Sequence, residues 1–255
     1  MTGVQTCALP ISSGLMLVQY HESKSPVRLV LAVLLFGLSA LTKINTVVAP
    51  AIFVIYDYRK KKSIRELDWL VVGIFLVASL ALVAAHLQAF GSEEGMLDGI
   101  PYSPRGIRLM NFPMLLSFYM DTALFPYSLS AWEQFPVQTT FTWVVGLAWA
   151  GLVLMTSFLY RSSQDVKFWV AWFVVFLMPV LQLVPFPIWV ADRYLYIPLV
   201  GVCVLLAKLG LWCWDRAVAF PIRWVLPAFG AMIVLMMAWK THVGLPAWKI
   251  GRAHV

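Results

Sequence analysis

The chain has 255 residues, of which 61% are hydrophobic and only 12% are charged, and its mean hydropathy is +0.81. Soluble domains carry about 25% charged residues, so this composition argues against a water-soluble fold. The net charge of +7 does not indicate a nucleic-acid partner, because Lys and Arg lie at the ends of apolar blocks rather than in a stripe. The alternation of apolar and polar residues along each strand, which is typical of membrane β-barrels, is absent from the sequence. The sequence therefore predicts an all-α, polytopic transmembrane helical bundle.

The two ends of the chain look foreign to a natural protein. Residues 6–11 (TCALPI) and 250–255 (IGRAHV) can be encoded by reverse-complementary DNA that resembles a sequencing adaptor. Segments of this origin are not expected to contribute to the natural fold. We therefore treat 1–11 and 250–255 as adaptor-like sequence and 12–249 as natural sequence, and we expect the natural protein to continue beyond both ends.

The first apolar block, residues 28–58, is too long for one membrane span. Basic residues lie on both sides of it, with Lys24 and Arg28 before it and a run from Arg59 to Arg65 after it. The positive-inside rule then places both of its ends in the cytoplasm, so the chain must cross outward and return. The polar cluster at 42–45 marks the turn and leaves arms of roughly 15 residues, about 22 Å each. This path places Lys43 at the outer face.

The rest of the chain is predicted to cross the membrane five more times. The segment 105–127 is apolar on average but contains Arg108, Asn111 and Asp121. A crossing there would place the basic hairpin near 161–167 outside, so an interfacial or re-entrant helix is favoured over a span. The prediction is about seven spans plus this one helix, with the C-terminus outside. The five later crossings fall at 69–90, 139–160, 168–184, 194–212 and 222–239.

Five ionisable residues of the predicted outer face are candidate site residues, and each allows a simpler interpretation. Lys43 either extends to lipid headgroups or holds a lipid-linked phosphate. Arg105 and Arg108 lie three apart, on one face of a helix, and either anchor to headgroups or extend an anion site. Asp192 and Arg193 either form a local ion pair, or Asp192 orients a phosphate-binding guanidinium.

Motifs for metal, nucleotide or nucleophilic chemistry are absent from the sequence. The three cysteines match no ligand set or disulfide framework, and no His, Cys, Asp and Glu cluster has metal-ligand spacing. No Gly-rich phosphate loop or nucleophile elbow is present. The residues therefore indicate no cofactor, leave a divalent-metal requirement open, and point to an anion site at the outer face.

Three segments also resemble motifs of a known enzyme family. In order and spacing they are similar to motifs of the C-type (GT-C) membrane glycosyltransferases, in particular bacterial relatives of the TPR-containing protein O-mannosyltransferases. Three positions depart from the family pattern: Ala131 replaces Asp, Asp192 replaces Glu, and Leu199 replaces Ser. The first of these removes a carboxylate and weakens any role for that loop. The segments are LSALTK at 38–43 leading to VIYDY at 54–58, LFPYSLSAW at 124–132, and ADRYLYIP at 191–198.

The resemblance implies transfer of a sugar from a polyprenyl-phosphate donor to a protein or glycan acceptor, at the outer face of a bacterial inner membrane. Lys43 and Arg193 would meet the donor phosphate, with Asp192 orienting Arg193 and either Arg105 or Arg108 adding charge. The family's catalytic carboxylate lies in a first outer loop, which we expect upstream of this chain, with TPR repeats downstream. No catalytic residue is therefore assigned, and the chain alone is expected to be inactive.

Two other functions fit the same residues. A transporter or flippase of anionic lipid-linked substrates would also line an outer cavity with cations, although such proteins commonly show internal repeats and none is evident here. A non-catalytic scaffold of an envelope complex needs no acidic loop at all. An acidic pair in an upstream outer loop would favour the transferase, and an inverted repeat would favour transport.

Overall fold

The structure is a computed structural model. It describes residues 3–90, 104–125, 135–183 and 189–217, together with 230–232, 234–236, 238, 239 and 242. Within these ranges the chain is helical and contains no extended strand, so the all-α prediction is confirmed for them. The α-helices are α1 (Gly3–Ser23), α2 (Pro26–Thr42), α3 (Ala49–Lys61), α4 (Trp69–Phe90), α5 (Arg105–Leu124), α6 (Trp143–Arg161), α7 (Gln164–Leu177) and α8 (Pro198–Ala217).

Two of the described helices are long and apolar enough to cross a bilayer: α6 over Trp143–Arg161 and α8 over Pro198–Arg216. Most of the α6 surface is uncovered, since Val145 is its one buried residue and Leu154 and Phe158 are each 70% exposed. Apolar surface left in water costs about 25 cal/mol per Å², whereas lipid accepts it. These helices support membrane association. Two shorter apolar helices, Pro26–Thr42 and Trp69–Ala85, accompany them.

The chain reverses where the sequence predicts the first turn. Helix α2 ends at Thr42, Lys43 is extended, and a 3-10 helix over Ile44–Val48 leads into α3. The hydroxyl of Ser79 on α4 donates to the carbonyl of Val47 at 3.0 Å. Ser79 lies eleven residues before the end of α4. The Val47 end of the turn is therefore about 16 Å from that end, measured along the α4 axis.

Helix α1 packs along α2, and Ser13 donates its hydroxyl hydrogen to the carbonyl of Ala32 at 2.8 Å. The helix begins at Gly3 and so runs without a break across the boundary between residues 11 and 12. The adaptor-like origin of 1–11 stays a prediction. Residues 250–255 lie outside the described part of the chain.

A buried carboxylate joins the ends of three helices. The side chain of Asp57 is 4% exposed, and its Oδ2 accepts from the Lys61 ammonium and the Asp68 backbone N–H, both at 3.1 Å. The His21 Nε2 lies 3.8 Å from Oδ1. Burial lowers the pKa of His21 despite the opposing effect of Asp57, so the imidazole is neutral at pH 7. Lys24, just before α2, also pairs with Asp68, which lies between α3 and α4, at 3.3 Å. The start of α2 and the end of α3 therefore lie at one end of the molecule.

Helix α5 occupies the segment predicted to be interfacial or re-entrant. It is not among the described helices that meet the length and hydropathy of a span. Its Asn111 is fully buried, donating through Nδ2 to the Gln138 carbonyl at 2.8 Å and accepting at Oδ1 from the Gln138 N–H at 2.9 Å. This paired contact fixes the stretch that leads into α6 against α5.

Helices α7 and α8 pack closely. Where the sequence predicts a span at 168–184, the structure has a 14-residue α7 that continues as a 3-10 helix over Met178–Val180. The indole of Trp172 donates to the carbonyl of Ile197 at 2.9 Å, just before α8 begins. Lys208, which stands alone in the apolar sequence of α8, pairs with Asp165 at 2.8 Å. Most of the predicted span 222–239 lies outside the described residues.

Candidate anion-binding site

Lys43 stands at the reversal between α2 and α3, where its backbone N–H donates to the Ser39 carbonyl at 2.9 Å. Its ammonium lies 3.4 Å from the carbonyl oxygen of Arg193 and 4.6 Å from the centroid of the Tyr196 ring. The side chain is half-buried. Two segments that lie 150 residues apart, each predicted from sequence to hold the donor phosphate, thus meet in the structure.

The segment carrying Asp192 and Arg193 is fixed by buried neighbours on both sides. Val190 and Ala191 are fully buried before it, and Leu195 is buried after it. Asp192, Arg193 and Tyr194 form a single 3-10 turn, in which Asp192 is half-buried and Arg193 is exposed. The guanidinium carbon of Arg193 lies 5.5 Å from the centroid of the Tyr194 ring. The Arg193 guanidinium is therefore carried by a turn whose flanking residues are packed in the core.

Tyr119 on α5 positions this turn, a role that was not predicted from the sequence. The residue is fully buried, and its hydroxyl oxygen accepts from the Ala191 backbone N–H at 3.4 Å across 72 residues. Burial raises the pKa of the hydroxyl well above its usual range, so it stays protonated. Nothing in the surrounding sequence distinguishes Tyr119 from the neighbouring aromatic residues of α5.

Replacing Tyr119 by phenylalanine is expected to lower the free energy of unfolding by about 1 kcal/mol, because the buried Ala191 N–H loses its acceptor. Thermal unfolding in detergent measures this change. Tyr160, which is 84% exposed on α6, offers a matched control, since Tyr160→Phe removes the same atom from an open surface. Equal unfolding midpoints for the two variants would contradict the positioning role.

Arg105 and Arg108 lie toward the start of α5, away from Tyr119, which contacts Ala191 just before the Arg193 turn. Both lie on α5, fourteen and eleven residues before Tyr119, which corresponds to about 21 and 16 Å along the helix axis. Their three-residue spacing does not give them one environment, because Arg108 is 6% exposed whereas Arg105 is exposed. The exposure of Arg105 suits headgroup anchoring, and the burial of Arg108 does not.

An open apolar groove on α8 begins beside the Lys43 contact. Its volume is about 350 Å³, and its first residue is Tyr196, whose ring lies under the Lys43 ammonium. The groove continues along two turns of α8 toward Ala207, which precedes the Lys208–Asp165 pair. The Lys43 ammonium thus lies at one end of this open apolar groove. The groove is lined by Tyr196, Leu199, Val200, Cys203, Val204 and Ala207.

In the ranges that the structure describes, no group of three or more His, Cys, Asp or Glu side chains could hold a metal ion. Cys203 is one wall residue of the groove and Cys213 lies further along α8, and both are free thiols. The cationic side chains at the contact between the first turn and the 191–195 segment are Lys43 and Arg193.

Comparisons of the chain with protein-family models, characterised proteins and solved structures find no match. The glycosyltransferase resemblance therefore depends on the three motifs. The first and third, at 38–58 and 191–198, lie in the described residues and contribute both partners of the Lys43–Arg193 contact. The middle motif is described only as far as Phe125, so Ala131 lies outside the described part.

Proposed function

We propose that this chain is part of the membrane domain of a glycosyltransferase that takes its sugar from a polyprenyl-phosphate donor and passes it to a protein or envelope acceptor. The membrane domain would have about seven spans and an interfacial or re-entrant α5, and would lie in a bacterial inner membrane. The observation that supports this most directly is the contact between Lys43 and the Arg193 turn at the head of the α8 groove.

The cationic end of the site suits a phosphate that departs with its lipid. When the glycosidic bond to the donor breaks, the polyprenyl phosphate gains negative charge, and a cation fixed in place beforehand stabilises that charge. The Lys43 ammonium is held by the Arg193 carbonyl and by the face of the Tyr196 ring. Arg193 extends from the same turn and can form two parallel hydrogen bonds to phosphate oxygens.

The apolar end of the site suits the lipid chain. A volume of about 350 Å³ falls in the range of small-molecule sites, roughly 300 to 1,000 Å³. The groove lies on α8, one of the two described helices that are apolar and long enough to cross a bilayer, so an isoprenoid chain could enter it sideways from the lipid. With its phosphate at Lys43, such a lipid places its first isoprene units beside Tyr196 and Leu199.

Binding of farnesyl phosphate to the chain in lipid nanodiscs tests this assignment, with farnesol as the uncharged control. We expect farnesyl phosphate to bind at least tenfold more tightly than farnesol. Val204→Trp, which fills the groove, is expected to abolish binding, whereas Leu154→Trp on the exposed face of α6 leaves it unchanged. Equal affinity for farnesol and farnesyl phosphate would overturn the proposal.

A further inference from the structure

The connection from α3 to α4 combines strong positive charge with exposed apolar side chains. Five basic residues fall between Arg59 and Arg65. In the same stretch Ile64 is 61% exposed, and Trp69 at the start of α4 is 55% exposed. Cations beside exposed aromatic and aliphatic groups are typical of segments that lie at the boundary between lipid headgroups and acyl chains.

Ion pairs divide these basic residues into two sets. Lys61 bonds to the buried Asp57 at 3.1 Å, and Arg59 pairs with Asp165 at the start of α7. These two cations hold helix ends together. Lys60, Lys62 and Arg65 are exposed, and among the described residues no carboxylate lies within ion-pair distance of them.

The backbone at Lys62 is unusual for a residue with a side chain. Its φ is +58°, in the left-handed region that glycine adopts most readily, and its N–H donates to the Tyr58 carbonyl at 2.7 Å to end α3. The fold would accept glycine here without strain. A lysine at this position therefore contributes charge rather than backbone stability.

We propose that Lys60, Lys62 and Arg65 bind the phosphate of an anionic phospholipid, with Ile64 and Trp69 at the level of its upper acyl chain. A surface cation typically improves binding to anionic lipid by about fivefold. Three such cations within six residues therefore give a clear preference over zwitterionic lipid. This site is separate from the Lys43 site, and it does not depend on the proposed enzyme activity.

The test is lipid binding to the purified chain in mixed micelles, measured by native mass spectrometry and by the shift in thermal unfolding midpoint. Dioleoylphosphatidylglycerol is compared with dioleoylphosphatidylcholine, and glycerol 3-phosphate is added as a competitor. We expect at least a tenfold preference for phosphatidylglycerol, and millimolar glycerol 3-phosphate should not displace it. Full displacement would mean that the site takes a free phosphate, and equal affinity for the two lipids would show that it has no charge preference. Either result would overturn the proposal.

The variant Lys60→Gln/Lys62→Gly/Arg65→Gln is expected to lose at least tenfold in phosphatidylglycerol affinity. The single variant Lys62→Gly is expected to lose about fivefold while unfolding no earlier than the parent, because glycine suits the backbone. The triple variant Arg161→Gln/Lys167→Gln/Arg216→Gln removes the same charge elsewhere and should keep the preference. Equal losses in the two triple variants would show that net charge alone attracts the lipid, which contradicts a site.

Discussion

Under the proposed function, replacing Lys43 by alanine is expected to lower sugar transfer at least a hundredfold in the glycosyltransferase that would include this membrane domain. The substitution removes a fixed cation from the position proposed for the departing phosphate, and the loss of one such group typically costs 10²- to 10³-fold in rate. Transfer from a radiolabelled polyprenyl-phosphate sugar, measured in proteoliposomes, gives the rate. Membrane insertion should not change, because the backbone hydrogen bond of Lys43 remains.

Arg193→Ala is also expected to lower sugar transfer, since Arg193 extends from the turn that the Lys43 ammonium contacts. Lys167→Ala is the matched control, because Lys167 lies near the start of α7, where its ammonium faces the ring of Tyr160. Unchanged transfer in both Lys43→Ala and Arg193→Ala would remove the support for this site as a donor-phosphate site. Loss of transfer in Lys167→Ala would instead indicate a general effect of charge.

Replacing Gly201 by valine is expected to separate α7 from α8 and to destabilise the protein by about 1 to 3 kcal/mol or more. A β-carbon at this position would lie 2.6 Å from the backbone carbonyl oxygen of Trp169 and 3.2 Å from a ring carbon of Trp172. A backbone atom cannot rotate away as a side chain can, so a helix must shift. The unfolding midpoint in detergent measures the loss.

Gly210 provides the control on the same helix, because a β-carbon there meets nothing within 4 Å. Gly210→Ala is therefore expected to raise stability by about 0.5 to 1 kcal/mol, through the better helix propensity of alanine. A loss of stability in Gly201→Val together with a gain in Gly210→Ala distinguishes the effect of close packing from that of helix propensity. A Gly201→Val variant as stable as the parent would show that α7 and α8 do not depend on this contact.

The sequence predicts the position of the turn at 42–45 because its signal is local. Basic residues flank residues 28–58 on both sides, and the polar cluster at 42–45 is where α2 ends and the chain reverses. The helical character of the described ranges follows equally from block length and composition. The seven-span count stays a prediction, since two described helices meet the length and hydropathy of a span by themselves.

From the residues alone the site is predicted only residue by residue, and it is the family resemblance that assigns Lys43 and Arg193 to one phosphate. Lys43 and Arg193 each stand out as ionisable groups in apolar surroundings, but no spacing rule relates positions 150 residues apart. Tyr119 carries no sequence signal of its own, because its importance comes from a partner brought close by packing. Asp57 lies in the VIYDY segment at 54–58, but only the fold shows the partners of its carboxylate. Helical periodicity places Arg105 and Arg108 on one face, yet the neighbours of α5 cover Arg108 and leave Arg105 open.

The hydrogen bond between Ser79 and Val47 sets the depth of the Lys43 turn relative to α4. With α4 crossing the bilayer as proposed, Val47 at the end of this turn lies about 16 Å below the end of that helix. Below the membrane surface water solvates an ammonium less well, and an effective dielectric constant near 20 raises the attraction between unit charges at 4 Å from about 1 to about 4 kcal/mol. An anion carried by a membrane lipid would reach the turn from the side. A freely dissolved sugar nucleotide would first have to give up its hydration, so under the proposed function the position of the turn would favour lipid-borne donors.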